Sequence, residues 1–146
     1  MNWKKIILVG LVAEVAAFIV GNILYLNPWV ADIYSASAAS YCSKPMEPFG
    51  GVGNWLLLMF AGGILSSILL TLLYSYTEKG IKIEPNWKKG LFFGFLFWIV
   101  SGLPTAYNTW LLHSYPDLLV AVEAFNGLAG VLMAGAVIGI MYGKIK

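Results

Sequence analysis

Glu14 and Glu123 are the two acidic residues that fall well inside long apolar stretches of this 146-residue chain. A carboxyl group within a membrane span is costly unless it is paired, protonated or wetted, which makes each a candidate functional residue. Glu14 has Gly, Ala and Phe as neighbours on its helical face, and no lysine or histidine lies at its depth. Two chemistries fit it. One is a proton relay or a cation-coupled step; the other is a neutral acid bridging two helices, or paired with its own copy across an oligomer axis. Glu123 fits either a polar pocket or a hydrated position near the membrane surface. His113 and Asp117, four residues apart across a Pro-containing turn, have the types of an acid-base pair but lack an accompanying nucleophile. No catalytic residue is assigned.

Depth groups several of these residues. At about 1.5 Å of rise per residue, Glu14 falls near the midplane. Asn22, Thr105, Asn108, Glu123 and Asn126 fall in the outer third, on three different helices. They are candidates for a ligand or ion pathway, with His113 and Asp117 as candidates for its outer mouth.

Four apolar runs must position these groups, at about 5–26, 54–76, 89–112 and 118–142, each long enough for a helical span of about 20 residues. The chain is 60% hydrophobic and 11% charged, with mean hydropathy +0.79, more apolar surface than a soluble domain of this size can bury. The expectation is an all-α fold, a polytopic membrane four-helix bundle forming one domain over 1–146. Eight of the nine lysines mark its orientation: Lys4 and Lys5 before the first run, Lys79, Lys82, Lys88 and Lys89 between the second and third, Lys144 and Lys146 after the fourth. The positive-inside rule makes these segments, and both termini, cytoplasmic, in a multi-pass protein of the cell membrane. The net charge of +2 is accounted for by topology, which leaves no case for nucleic acid. The partners expected are the lipid bilayer and further copies of the chain.

A cleavable signal peptide is the competing reading of the first run, but that run exceeds the usual 7–15-residue apolar core and carries Glu14 in its middle. The outer loop at 27–53 is long, with Pro28, Pro45, Pro48 and a glycine-rich hinge at Gly50, Gly51 and Gly53. Trp29, Ile33 and Tyr34 in it fit a short amphipathic segment lying on the outer interface. Cys42, the sole cysteine, has no partner in the chain and pairs, if at all, between protomers. One Cys and one His offer no zinc, haem or disulfide-redox site, and no cofactor is expected. The Asn-Trp-Lys-Lys sequences at 2–5 and 86–89, each followed by a glycine at the same offset, hint at an internal repeat or reflect what an inner interface favours.

Turning each run at about 100° per residue gives every span a face of small and polar residues. These are Gly10, Glu14 and Gly21 in the first; Gly63, Ser67 and Thr71 in the second; Gly90, Gly94, Ser101 and Thr105 in the third; Glu123, Asn126 and Gly130 in the fourth. The last span carries a second stripe, Gly135, Gly139 and Gly143, suited either to a neighbouring helix or to a second protomer.

No nucleophile elbow, phosphate loop or dinucleotide fingerprint occurs, so an enzyme is the less favoured class. The opening Met1-Asn2-Trp3, the Gly21-Asn22-Ile23-Leu24-Tyr25 end of the first span, Gly90 and Gly94 with the later Pro104, Thr105 and Asn108, and the Gly-rich last span together resemble the uncharacterised prokaryotic four-span family DUF1761. That resemblance implies the four-span architecture and supplies no activity or catalytic residue. Three functions are expected to compete. The first is binding or transport of a small solute, ion or lipid through an outward-facing pocket, for which a wetted cavity would link the two glutamates. The second is a structural or accessory subunit of a membrane complex. The third is a membrane enzyme on a lipidic substrate, which requires His113, Asp117 and Glu123 to converge.

Overall fold

The computed structural model describes residues 2–37 and 47–145, and the described residues are helical with no strand. The helices are α1 (Trp3–Tyr25), α2 (Pro28–Ser37), α3 (Val52–Thr77), α4 (Asn86–Leu112) and α5 (Asp117–Lys144), with a single 3-10 turn at Glu47–Phe49. Four of them, α1, α3, α4 and α5, are long and apolar enough to cross a membrane. Each begins or ends within about three residues of the expected run, since hydrophobicity marks the buried length of a span whereas its caps extend into the polar interface. Asn2 caps α1, its Oδ1 accepting from the Lys5 N–H at 3.2 Å. Gly50 and Gly51 take positive φ of 82° and 91° at the start of α3, a conformation open to glycine, and this turns the chain into the helix. Cys42 lies outside the described residues.

The lysine-bearing ends lie together. Lys5 at the start of α1 sits 3.9 Å from the ring centroid of Tyr142 near the end of α5, and Tyr142 also meets Tyr74 of α3. Tyr74 packs edge-on against Phe93 of α4, so all four spans meet in this half. Val9, Ala13, Leu70, Tyr74, Phe93, Ala134 and Ile138 form its core. The other half is built differently. α5 packs most extensively on α4 and next on α1, while α3 packs chiefly on α1.

The α4–α5 contact is set by glycine. A Cβ placed on Gly90 would lie 2.0 Å from the Gly135 carbonyl oxygen, one on Gly135 2.4 Å from the Gly90 oxygen, and one on Gly94 2.7 Å from the Val131 oxygen. Gly139 meets the Asn86 carbonyl oxygen in the same way, and Gly143 lies against the Asn86 side-chain amide. The Gly135, Gly139 and Gly143 stripe is thus covered by α4 of the same chain, and backbone meets backbone where small residues allow close approach.

α2 differs from the expected interfacial segment. It is helical, and Trp29 is exposed at 61%, but Val30 and Ile33 are buried against Leu119 and Val122 of α5, with Tyr34 packed beside them. A helix turns about 100° per residue, so residues 30, 33 and 34 share a face, and Trp29, about 90° from its centre, stands at the edge of it. That face seals the end of the bundle opposite the lysines.

Candidate functional site

Glu123 is held by two tyrosines that the sequence did not nominate. It sits two turns into α5, on the face turned toward α1 and α2. Tyr25, the last residue of α1, donates its hydroxyl to Glu123 Oε2 at 2.7 Å, and Tyr34 of α2 donates to Oε1. The two phenol rings lie 5.9 Å apart. An ionised carboxylate is acceptor-only, and here each oxygen receives one phenolic proton. The Tyr34 phenol is pushed well above the usual tyrosine range, first by burial and then by its bond to the Glu123 carboxylate and the negative charge there. The proline turn at 27–28 brings the two tyrosines together, by reversing the chain between the end of α1 and the start of α2.

Glu123 also borders a cavity of about 480 Å³ between the halves of α4 and α5 that lie away from the lysines. Trp98 stands at its end nearer the lysines. The indole lies over Gly102, where an added Cβ would be 2.4 Å from the ring, and reaches to within 3.9 Å of a Cβ placed on Gly127. One helical turn further toward the lysines the glycine contact closes the helices, so Trp98 marks the point where they part. Tyr115 lines the opposite end.

The hydroxyls of this wall have a definite polarity. Ser101 Oγ donates to the Phe97 carbonyl at 2.7 Å and Thr105 Oγ1 donates to the Ser101 carbonyl at 2.7 Å. Pro104 lies in the same stretch of α4 and lacks an N–H, so the Val100 carbonyl four residues earlier loses its helical donor. With their protons committed to the helix, Ser101 and Thr105 present lone pairs. Among the described residues of the cavity wall, Glu123 is the one that carries a full charge, and no lysine or histidine accompanies it.

Glu14 belongs to a different contact. Its carboxyl lies against Gly63 of α3, where an added Cβ would be 1.9 Å from Oε1, and Ser67 Oγ donates to Oε2 at 2.8 Å. Gly10 against Ile68 and Phe18 against Phe60, with ring centroids 5.1 Å apart, extend the same α1–α3 seam. Glu14 is 8% exposed and lines neither the Glu123 cavity nor the smaller one beside α2.

The remaining expected residues disperse. Asn22 donates to the Phe18 carbonyl of its own helix at 2.8 Å. Thr105 joins the Glu123 cavity, whereas Asn108 is exposed on α4 and outside that wall. Asn126 is buried on the other side of Glu123, next to Tyr25. Asp117 accepts from the Trp110 indole N–H at 2.9 Å, and the His113 ring stands edge-on to Tyr115 at 6.2 Å. His113, Asp117 and Glu123 therefore have three separate sets of partners. Among the described residues no group of three or more His, Cys, Asp or Glu is placed to hold a metal ion.

Compared with protein-family models, with curated proteins and with solved structures, the chain matches none.

Proposed function

We propose that this is an integral membrane protein that binds a small organic cation, an alkylammonium in its simplest form, in the α4–α5 cavity. The observation that carries the reading is Glu123: a carboxylate fixed by two phenolic donors, facing a cavity with no positive counter-charge in its described wall. The acceptor lone pairs of Ser101 and Thr105 and the aromatic faces of Trp98 and Tyr115 suit an ammonium group, which is all donor and is attracted to π-faces. A volume near 480 Å³ is in the range of small-molecule sites.

The lysine distribution supports an orientation with the lysine-bearing end in the cytoplasm and the cavity facing outward, in the cell membrane. Membership of the DUF1761 family remains part of this proposal, carried by the motifs named above. Transport is the further step. It requires the glycine contact between α4 and α5 to open, because that contact closes the space below Trp98.

The test is calorimetric titration of the purified chain in detergent with n-propylammonium chloride, with propanol as neutral isostere and sodium chloride as ion control. Binding of the ammonium alone, weakened about tenfold or more by Glu123→Gln, is expected from the loss of a charged hydrogen-bond partner. Equal responses to propanol, or an unchanged affinity in Glu123→Gln, would overturn the reading.

A second reading, a structural or accessory subunit, is favoured by Glu14. Its carboxyl joins α1 to α3 through Ser67 in a contact that borders neither described cavity.

A further inference from the structure

The cavity beside Glu123 is open on one side. Its described wall is drawn from α4, α5 and Tyr115 in the turn between them, so it is a groove along two helices. Tyr25 and Tyr34 cover Glu123 from α1 and α2, whereas Ser101 and Thr105 on the α4 wall are exposed. Depth decides what they are exposed to. α4 and α5 have 27 and 28 residues, about 40 and 42 Å at about 1.5 Å per residue, and overhang a hydrocarbon core of about 30 Å by about 5–6 Å at each end. Thr105, seven residues before the end of α4, then lies about 5 Å inside the core, and Ser101 about 11 Å inside it. At those depths the open side of the groove faces acyl chains.

The groove also changes character along its length. Glu123 lies about 3 Å inside the core, at nearly the level of Thr105. From there toward the midplane α5 contributes Ala124, Gly127 and Val131, none with a polar side-chain atom, and the Trp98 indole lies beside Gly127. Glu123 and Val131 are about 12 Å apart along the helix axis, which puts Val131 near the midplane. Ser101 is the polar exception on the α4 side of this stretch, and its hydroxyl proton is already held by the Phe97 carbonyl. A short ammonium occupies only the Glu123 end. An acid at the boundary followed by an apolar run to the midplane matches an amphiphile with one charged end and one chain.

Resting on the cation reading of Glu123, we infer that the ligand of this groove is a long-chain primary amine that enters sideways from the bilayer. Its ammonium meets Glu123 near Thr105, neutralising a carboxylate that is costly within a span, and its alkyl chain runs between α4 and α5 past Trp98 toward Val131. The amine headgroup of a diacyl phospholipid does not suit the site. It would bring a phosphate beside the Glu123 carboxylate, and the described wall holds no lysine or histidine to receive that charge.

The test is photolabelling of the full chain in phosphatidylcholine nanodiscs, with octylamine carrying a diazirine at its tail and with the matching octanol. Labelled residues are identified by mass spectrometry, and Leu57 and Leu65 of α3, 64% and 61% exposed, give the background of lipid-facing positions. Over that background the amine should label Trp98 and Val131 about tenfold more than the alcohol does, the scale of one hydrogen bond to a charged group. Excess n-propylammonium should suppress this labelling by competing for Glu123, and phosphatidylethanolamine in the nanodisc should leave it unchanged. Glu123→Gln should bring the amine down to the level of the alcohol; the comparison of amine with alcohol on the wild-type chain stands whether or not that variant folds. Equal labelling by amine and alcohol, in a chain that still binds n-propylammonium by calorimetry, would overturn the amphiphile and leave the cation site standing. Equal labelling with no n-propylammonium binding would overturn both. Suppression by phosphatidylethanolamine would overturn the single-chain class.

Discussion

Replacing Gly139 by alanine adds one methyl group to the close α4–α5 seam, and its consequence can be worked from distances. The new Cβ would lie 2.2 Å from the Asn86 carbonyl oxygen and 3.0 Å from both the Cα and the N of Gly90. Ordinary contact begins at 3.4 Å. Relief therefore needs α4 and α5 to part by about 1 Å, a gap that forfeits a large share of the dispersion along the seam. Every obstructing atom is backbone, so no side-chain rotation absorbs the strain. Overpacking a core typically costs 1–3 kcal/mol. Because Gly90, Gly94 and Gly135 share the same seam, we expect the upper end, about 3 kcal/mol, or roughly a hundredfold in the folding equilibrium. Gly62→Ala is the reference, since nothing lies within 4 Å of its added Cβ. It should be neutral, or stabilising by up to about 1 kcal/mol through helix propensity. The assay is reversible unfolding in mixed micelles of rising dodecyl sulfate fraction, followed by circular dichroism at two protein concentrations. The loss in Gly139→Ala should be the same at both, because the contact lies within one chain. If Gly139→Ala unfolds with Gly62→Ala, the close α4–α5 seam is refuted; if its loss depends on concentration, the glycine stripe is meeting a second protomer instead.

Three further outcomes are expected. Ser67→Ala removes the hydroxyl that donates to the buried Glu14 carboxyl and should destabilise by about 1–3 kcal/mol; adding Glu14→Leu should recover most of that in the same unfolding assay, and an undiminished loss in the double variant would break the assigned pair. Tyr34, whose phenol is held above its ordinary range, should make stability fall as pH rises. Below the unfolded value of about 10 its contribution is complete, and above it the folded chain keeps a proton that the unfolded chain has lost, so unfolding between about pH 8 and about pH 11 should steepen in wild type and less so in Tyr34→Phe. Gly102→Ala displaces the Trp98 indole from its seat, so it should weaken n-propylammonium binding and alter the indole fluorescence while leaving the circular dichroism spectrum unchanged.

The four spans were legible because each must satisfy its backbone internally across an apolar layer, and that requirement writes a long hydrophobic run into the sequence. Pairing was much less legible. Lipid is as apolar as leucine, so the exposed faces of Leu57, Leu65 and Val100 read like buried ones, and hydrophobicity alone does not identify neighbours. Glycine carried the remaining information. The last-span stripe was open to two uses, and only the matching Gly90 and Gly94 on α4 decide that α4 covers it. The same ambiguity applied to α2: Trp29, Ile33 and Tyr34 fitted an interfacial segment, whereas Ile33 and Tyr34, with Val30, pack on α5 and leave Trp29 exposed at the edge of that face.

The acid at Glu123 could be nominated from sequence because a charge inside a span has few inexpensive explanations, but its partners could not. Tyr25 and Tyr34 are ordinary membrane-interface residues in composition, since a phenol at the end of a span satisfies its apolar ring and polar tip with no partner at all. What distinguishes them is the reversal at Asn27 and Pro28, which brings hydroxyls nine residues apart onto the two oxygens of one carboxylate. The two glutamates consequently have opposite characters despite their similar setting in sequence. Glu14 is matched by a glycine and a serine on a single neighbouring helix, so its carboxyl is enclosed in a seam. Glu123 is held from one side by two side chains of α1 and α2, and its other side is left to a cavity in which α4 contributes acceptors. A charge fixed on one side and open on the other is prepared for a counter-charge that the described wall does not contain, and for that reason the ammonium titration discriminates at Glu123 and not at Glu14.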